Sequence, residues 1–175
     1  MNAYKAYKLR IYPTDSQSEL IEKTFGSTRY IYNNFLAERK SKYEESKTKV
    51  NVFELLKELT DLKREKEWLR EMDSCALQAC VYNLDDAFQK FFKGNGYPRF
   101  RSKGVHESFR TNNNESIKID FNKRIITLPK LKEVKFRRYR TTKEIIGKIK
   151  SATISKDANK YFVSVLVEMP FINTS

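Results

Sequence analysis

Residues 5–13 have the sequence KAYKLRIYP, in which tyrosine, leucine and isoleucine are set between lysine and arginine. This alternation is typical of a β-strand, because successive side chains of a strand point to opposite faces. The pattern begins near residue 3, and Pro13 ends it. The sequence therefore predicts a strand over residues 3–12.

A helix is predicted directly after this strand. Thr14 and Gln17 have the spacing of a capping box, in which each side chain accepts a hydrogen bond from the other residue's backbone N–H. The helix is expected from Asp15 to about Phe25. Gly26 and Ser27 predict a break, and a second helix is expected from Thr28 to Glu45.

Two more helices follow the loop at residues 46–49. Asn51 and Glu54 repeat the capping spacing, and Asp73 can cap a helix from Ser74 to Lys93. Apolar residues recur every three or four positions in both segments, so the predicted helices share a core as a small bundle. The expected core positions are Leu55, Leu56, Leu59, Leu62, Leu77, Val81, Leu84, Ala87, Phe88 and Phe91.

The helical pattern ends at Gly94-Asn95-Gly96, and short segments with a strand-like pattern follow. Residues 157–160 are predicted to connect the last two strands as a hairpin. A lone first strand, a helical insert and a run of strands predict that the first strand pairs with later ones. The expected fold is α+β, a β-barrel interrupted by a helical bundle. The predicted later strands are Ser116–Phe121, Ile125–Leu128, Leu131–Phe136, Ile149–Ser155 and Tyr161–Glu168.

Positive charge is concentrated in the second half of the chain. Residues 1–95 carry 17 Lys and Arg against 15 Asp and Glu, whereas residues 96–175 carry 18 against 7. Clustered cations release counterions from a phosphate backbone, so this half predicts a polyanionic partner. A membrane surface is the alternative, but there is no lipidation motif, and no apolar run reaches the roughly 20 residues that span a bilayer. Residues 4–12 also lack a signal-peptide pattern, so a cytoplasmic protein is expected, associated with the nucleoid when bound.

Catalytic constellations are missing from the sequence. His106 is the only histidine, and Cys75 and Cys80 lack the paired spacing of a zinc ribbon. Five residues apart on a predicted helix, the cysteines point to different faces and are expected to be buried thiols without a disulfide. Asp85 and Asp86 are expected on a solvated helix face. We predict no catalytic residue, metal site or cofactor in this chain.

Aromatic and basic residues are interleaved from Gly96 to Lys103 and again from Ser108 to Thr111. The guanidinium group of arginine can bind a phosphate through two hydrogen bonds, and aromatic rings can stack on bases. This pattern therefore predicts nucleic-acid binding. The alternative is that Tyr97, Phe100 and Phe109 belong to a core and that only the cations face solvent. A second basic cluster contains Lys135, Arg137, Arg138 and Arg140, although strand ends carry charge in many proteins.

Seven segments, taken in order, closely resemble the N-terminal half of the TnpB family of transposon-encoded RNA-guided DNA endonucleases, which is related to compact type V CRISPR effectors. The resemblance runs from about residue 3 to residue 169. The segments are Tyr7–Pro13, Phe25–Asn33, Leu59–Lys63, Ala76–Gln78, Phe91–Lys93, Tyr97–Phe100 and Leu128–Leu131.

The resemblance implies two domains in this chain. Residues 1–13 and 96–172 match a wedge domain, an oligonucleotide-binding-like β-barrel, and residues 14–95 match a helical recognition domain. In the family these domains hold guide RNA, the guide–target heteroduplex and a short DNA motif beside the target. The RuvC-like nuclease and its zinc ribbon would lie downstream, so Mg²⁺ and Zn²⁺ are expected only there.

The resemblance also assigns roles to residues. The expected partners are guide RNA from the transposon end and double-stranded DNA. The DNA motif would be read by Ser74, Cys75 and Gln78 together with Asn112, Asn113 and Asn114. The nucleic-acid backbone would be contacted by Lys5, Lys8, Arg10, Arg29, Arg99, Arg101, Lys103, Arg110, Lys135, Arg137, Arg138 and Arg140.

The resulting prediction is an RNA-guided DNA-binding module without nuclease residues, for example a truncated regulator. One alternative is a subunit of a split nuclease, which would meet a separate RuvC-containing chain through an exposed apolar face near Val163, Val165 and Phe171. Another is an interaction module that titrates a full-length TnpB protein. Arg29 is expected either on nucleic acid or in an intramolecular pair.

Overall fold

The computed structural model describes residues 3–49, 51–137 and 147–169, which form an α+β fold with three α-helices and a seven-stranded antiparallel sheet. The chain forms two compact units. Residues 1–21 and 106–175 form the sheet unit, and residues 22–105 form the helical unit. The elements are β1 (Ala3–Tyr12), α1 (Asp15–Ser46), α2 (Val52–Glu65), α3 (Ser74–Phe92), β2 (Ser108–Thr111), β3 (Lys118–Asp120), β4 (Ile125–Leu128), β5 (Lys132–Phe136), β6 (Lys148–Asp157) and β7 (Lys160–Met169).

The sheet has the strand order β2-β6-β7-β1-β5-β4-β3. β1 pairs with β7 along nearly its whole length and with β5 at Ile11 and Tyr12. The predicted pairing of the first strand with later ones is therefore confirmed. The β6–β7 hairpin is also confirmed, with Ala158 and Asn159 at the positive φ angles that tight hairpin turns require. The described pairings leave β2 and β3 at the two edges, so a closed barrel stays a prediction.

β2 lies in a segment that the sequence did not predict as a strand. Only four residues long, it has just one large apolar residue, Phe109, which is buried together with Thr111. Ser108 and Arg110 alternate with them and are exposed. Such a short run with a single large apolar side chain gives a weak periodic signal, and pairing with β6 is what holds it in the sheet.

The apolar side chains of the central strands β1 and β7 are buried. Leu9 and Ile11 of β1 and Val163, Val165 and Val167 of β7 are all buried. The expectation of an exposed apolar face at Val163 and Val165 is therefore wrong, because alternation places both side chains in the sheet core. The third residue of that expected face, Phe171, lies outside the described residues.

The predicted break at Gly26 and Ser27 is also wrong, because α1 is one helix of 32 residues. Ser27 Oγ donates to the carbonyl of Lys23 at 2.7 Å, and Thr28 Oγ1 donates to the carbonyl of Phe25 at 3.1 Å. Both hydroxyls are thus satisfied by the helix itself. Burial of Ser27 and Thr28 then keeps the segment helical in spite of its low helix propensity.

Gly26→Ala should raise the free energy of unfolding by about 0.5–1 kcal/mol, because glycine costs about that much inside a helix. A Cβ atom at residue 26 would lie 3.6 Å from Arg29 Nη2, an ordinary van der Waals distance. Urea unfolding followed by far-UV circular dichroism measures the change. Gly96→Ala, in a loop where a Cβ meets nothing within 4 Å, is the matched control and should have a smaller effect. A loss of stability in Gly26→Ala would contradict this account.

The predicted caps are confirmed. Thr14 N–H donates to Gln17 Oε1 at 2.9 Å, and Gln17 N–H donates to Thr14 Oγ1 at 3.3 Å. Asn51 Oδ1 accepts from the N–H of Phe53 at 2.9 Å, and Asp73 Oδ1 accepts from the N–H of Cys75 at 3.1 Å. Each cap satisfies a backbone donor that the first helical turn leaves without a partner.

The helical unit has its own core, which contains most of the predicted positions. Leu56, Leu62, Ala87 and Phe91 are half-buried rather than buried. Cys75 is half-buried, whereas Cys80 is buried. Among the polar side chains, Arg39 of α1 is buried and lies 2.8 Å from Glu58 of α2. The buried core residues are Ile31, Tyr32, Phe35, Leu36, Leu55, Leu59, Leu69, Met72, Leu77, Cys80, Val81, Leu84 and Phe88.

Candidate nucleic-acid interface

One side of the sheet carries cations and small hydroxyl side chains. Because strand side chains alternate, Lys8 points away from the buried Leu9 and Ile11. The antiparallel register places Lys8 opposite Ser164, Ser164 opposite Thr153, and Thr153 opposite Arg110. Neighbouring strands are about 4.8 Å apart, so the Cα atoms of Lys8 and Arg110 are separated by about 14 Å across this row.

A second row lies beside the first, with Arg10 opposite Phe162, Phe162 opposite Ser155, and Ser155 opposite Ser108. Lys8 Nζ lies 4.6 Å from the centroid of the Phe162 ring, which links the two rows. We call the side of the sheet that these rows cover the outer face. Its small serine and threonine side chains leave room for a nucleic-acid backbone. Lys8 and Arg110, at the two ends of the first row, can bind phosphates.

The outer face continues onto β5. Tyr12 is opposite Lys135, and Arg10 Cζ lies 5.0 Å from the centroid of the Tyr12 ring. Arg137 follows β5, is exposed, and donates its backbone N–H to the carbonyl of Arg10 at 2.8 Å. The structure therefore brings four predicted backbone contacts to one face, namely Lys8, Arg10, Arg110 and Lys135.

Lys5 does not belong to this face. It shares the side of β1 that carries Tyr7 and Leu9, and its Nζ lies 4.9 Å from the centroid of the Tyr7 ring. The twofold alternation of the strand separates Lys5 from Lys8 and Arg10, and the predicted backbone contact of Lys5 stays a prediction. Two other predicted contacts, Arg138 and Arg140, lie outside the described residues.

Arg101 is held inside the helical unit. Its Cζ atom lies 3.9 Å from the centroid of the Tyr32 ring, within the range of a cation–π contact. The side chain of Asn33 accepts from the backbone N–H of Arg101 at 2.8 Å and donates to its carbonyl at 2.9 Å. Both contacts fix the loop after α3 against α1, so Arg101 has a structural role whether or not it meets a phosphate.

The neighbours of Arg101 point outward. Arg99 and Lys103 are exposed, and the Phe100 side chain is 52% exposed. Tyr97 is half-buried with its ring centroid 4.7 Å from that of Phe91, and Phe109 is buried in the sheet unit. Of the three predicted rings, Phe100 is thus the one available for stacking on a base.

Ser74, Cys75 and Gln78 occupy the first two turns of α3. Their spacing of three and four residues places them on one face of the helix, where Ser74 and Gln78 are exposed. In the sheet unit, Asn112, Asn113 and Asn114 follow β2 directly. Asn112 is exposed, and the other two are half-buried. Their roles in reading DNA stay predictions.

Arg29 is half-buried on α1, with its guanidinium close to Gly26. Its predicted backbone contact also stays a prediction.

The two thiols differ in burial, since Cys75 is half-buried and Cys80 is buried. Burial raises the pKa of Cys80 to about 12, and burial together with the Asp73 carboxylate raises the pKa of Cys75. Both are therefore protonated at neutral pH, which favours a polar contact by the Cys75 thiol over nucleophilic chemistry.

Iodoacetamide should alkylate native Cys80 about 10³-fold more slowly than free cysteine at about pH 8, because a pKa near 12 leaves about one thiolate in 10⁴. The rate should rise about tenfold for each pH unit while the pH stays below that pKa. Cys75 should react first, and mass spectrometry of peptides separates the two sites. Urea-unfolded chain, in which both sites should react alike, is the control. Equal rates in the native chain would contradict the burial of Cys80.

Residues 3–49, 51–137 and 147–169 contain neither a candidate metal site nor a helix that could span a membrane. There, no group of three or more histidine, cysteine or carboxylate side chains is arranged to hold a metal ion. His106 is exposed in a loop, Asp86 is exposed, and Asp85 is half-buried. In the same ranges, none of the helices combines the length and apolar character needed to cross a bilayer.

Sequence reasoning missed the hydroxyl rows of the outer face. Thr153 and Ser155 alternate with the apolar residues Ala152 and Ile154 in β6. That period of two was a usable signal, because it places the polar set on one side of the strand. The register with β7 and β2, which places Thr153 in one row with Lys8 and Arg110, was not visible in the sequence.

An antiparallel sheet with a cationic, hydroxyl-rich face is typical of proteins that bind nucleic acid. Comparisons with known proteins agree with this class. Residues 1–48 match the family HTH_OrfB_IS605, described as a helix-turn-helix domain. In this chain the matched segment contains β1 and the continuous helix α1.

Three curated relatives extend the match. The chain is 28% identical over 171 residues to the putative RNA-guided DNA endonuclease InsQ of Escherichia coli (strain K12), which covers 96% of this chain and 41% of InsQ. It is 35% identical over 102 residues to a putative RNA-guided DNA endonuclease of Streptomyces pristinaespiralis, covering 57% and 25%. It is 32% identical over 111 residues to the virulence protein VsdF of Salmonella dublin, covering 57% of this chain and 93% of VsdF.

The chain belongs to the TnpB family. It spans less than half the length of the two relatives that are named as endonucleases. Among solved structures, the Cas12f1 chain of a Cas12f1–sgRNA–target DNA complex matches 97% of this chain and 49% of its own length, with 14% identity and a TM-score of 0.49.

Proposed function

We propose that this chain is an RNA-guided DNA-binding module that holds guide RNA and the DNA duplex beside the target. In this proposal the sheet unit is the wedge domain, with an oligonucleotide-binding-like barrel, and the helical unit is the recognition domain. The observation that carries the proposal is the outer face, where Lys8 and Arg110 stand at the two ends of one row of hydroxyl side chains. Such a face binds phosphates without reading sequence.

We propose further that DNA cleavage in the family is carried out by the part of the relatives that this chain does not match. Mg²⁺ and Zn²⁺ would bind in that part. The chain matches 41% of InsQ, which leaves most of that protein for other activities. By itself the chain would occupy guide RNA or target sites without cutting DNA, as a cytoplasmic regulator.

Co-expression with RNA from the chain's own transposon end tests this proposal. The chain is purified at moderate salt, the RNA that elutes with it is sequenced, and its affinity is measured against salt concentration. Enrichment of one structured RNA, with affinity that falls steeply as salt rises, is the expected result. Binding of unselected RNA only, or affinity insensitive to salt, would overturn the proposal.

Gln78→Ala should change the sequence preference for the DNA motif and leave the affinity for guide RNA within about twofold. A glutamine can bind the edge of adenine at two points, which gives about 1–3 kcal/mol of discrimination. Selection from a duplex library with a randomised motif, performed with the RNA-loaded chain, measures the preference. Asn83→Ala, another exposed amide on α3, is the matched control. An unchanged preference in Gln78→Ala would remove this residue from the reading surface.

A further inference from the structure

Helices α1 and α3 end beside one another in a cluster of aromatic rings within the helical unit. The ring centroid of Tyr43, near the end of α1, lies 5.7 Å from those of Phe91 and Phe92, near the end of α3. The Tyr97 ring lies 4.7 Å from that of Phe91 and 5.7 Å from that of Phe88. These five rings form one packed group, which we call the ring cluster.

Lysine side chains lie over this cluster. Lys47 Nζ is 4.8 Å from the Tyr43 centroid, Lys49 Nζ is 5.5 Å from the Phe92 centroid, and Lys40 Nζ is 5.9 Å from the Tyr97 centroid. All three distances are within the range of a cation–π contact. We call the set of lysines around the ring cluster the lysine end. It consists of Lys40, Lys47 and Lys49, together with Lys90 and Lys93, which flank Phe91 and Phe92 in the chain.

The arrangement suits phosphate better than a base. Phe91, Phe92, Tyr43 and Tyr97 are half-buried, and lysines lie over three of these rings, where a base would otherwise stack. The ammonium groups remain accessible, since Lys47, Lys49, Lys90 and Lys93 are exposed. Rings that hold the lysine stems reduce the entropy lost when the charges meet a ligand.

The five lysines of the lysine end outnumber the acidic residues Glu44, Glu45 and Asp85, which lie on α1 and α3. Glu44 and Glu45 are exposed on the last turn of α1, and Asp85 lies on α3, where it accepts a hydrogen bond from Gln89 at 3.4 Å. Lysines at helix C-termini also offset the macrodipole. That structural role predicts an effect on stability without an effect on binding, so the two roles can be separated by experiment.

We infer that the lysine end is a second phosphate-binding surface, which contacts the backbone of a nucleic-acid duplex without reading its sequence. The inference rests on the proposed function, because it assumes that the helical unit meets nucleic acid. It adds to the outer face a binding surface on α1 and α3 that carries none of the predicted contacts. A base-stacking role is not part of it.

Lys47→Gln, Lys49→Gln and Lys90→Gln, combined in the full chain, test the inference. The probe is a fluorescent DNA duplex of about 20 base pairs, the length of a guide–target heteroduplex, with no relation to any guide. Each lost phosphate contact lowers the slope of log K against log salt by about 0.9, so the slope should fall by about 2 to 3 and the affinity at least about tenfold at about 0.1 M salt.

The matched control is Lys57→Gln, Arg64→Gln and Arg70→Gln, which removes the same charge from exposed positions of the helical unit. It should weaken binding less than about threefold, through net charge alone. Equal losses in the two triple variants would overturn the inference, and so would unchanged binding in the first. Thermal unfolding of both variants measures the structural role of the lysines.

Acetylation of the unsubstituted chain gives a second test, which does not depend on whether a variant folds. Acetylation of lysines, read by mass spectrometry, should be slowed at Lys47, Lys49 and Lys90 when the same duplex is bound, and unchanged at Lys57. Equal acetylation with and without duplex would overturn the inference. Failure of the proposed function is a different result, namely protection of these lysines in a chain that selects no guide RNA.

Discussion

Lys8→Ala combined with Arg110→Ala should weaken binding of the co-purified RNA by about 30-fold at about 0.1 M salt, because each lost phosphate contact removes about 0.7 to 0.9 from the slope of log K against log salt. The two side chains stand at the ends of one row across β1, β7, β6 and β2. A backbone that lies along the row would meet both. Fluorescence anisotropy at several salt concentrations gives the affinity and the slope together.

Lys5→Ala combined with Lys123→Ala is the control for this experiment. It removes the same net charge from the sheet unit, but Lys5 lies on the opposite side of β1 and Lys123 lies in the turn between β3 and β4. A loss of less than about threefold is expected, from the general field alone. If the control loses as much affinity as Lys8→Ala with Arg110→Ala, the outer face is not the binding surface.

Arg39→Ala should lower the free energy of unfolding by about 3 kcal/mol, near the low end of the range for breaking a buried ion pair. Arg39 is buried on α1, with Nη2 2.8 Å from Glu58 Oε1 and Nη1 3.7 Å from Glu54 Oε2. Removing the guanidinium leaves the Glu58 carboxylate without its nearest cation and takes away the packing of the arginine stem. The low end applies because Glu58 is 31% exposed and Glu54 is 62% exposed.

Glu58→Gln should cost much less than Arg39→Ala. Burial raises the pKa of Glu58, against the lowering influence of Arg39, so a neutral amide removes a charge that the folded state disfavours. The glutamine oxygen can still accept from Arg39 Nη2. Urea unfolding of both single variants and of the double variant gives the coupling energy. Equal losses in the two single variants would show that the charge of Glu58, and not the packing of the arginine stem, sets the cost of Arg39→Ala.

Local chemistry made the helix starts and the hairpin predictable. Thr14, Asn51 and Asp73 cap helices through hydrogen bonds to donors two or three residues away, so the sequence alone carries the signal. The break at Gly26 was mispredicted for the opposite reason. Burial of Ser27 and Thr28 and their hydrogen bonds inside α1 outweigh the intrinsic preference of a Gly-Ser pair for a turn.

The candidate site was predictable in its residue types but not in its arrangement. The sequence named several of the cations that the structure exposes, including Lys8, Arg99, Lys103 and Arg110. The sequence did not separate Lys5 from Lys8 or find the contact of Arg101 with Tyr32. Both depend on where a side chain points after the strands pair and the loop docks on α1. The ring cluster and its lysines were missed because Tyr43 and Phe91 are far apart in the chain.

By itself, the sequence determined the family, the α+β class, the caps of the helices and the strongly basic second half. These properties depend on short-range spacing and composition, which are preserved whatever the chain folds into. Tertiary structure alone decided that α1 is continuous, that β2 joins the sheet, and that Lys8 and Arg110 share one row. Such features depend on burial and strand register, which are set by contacts between residues distant in sequence.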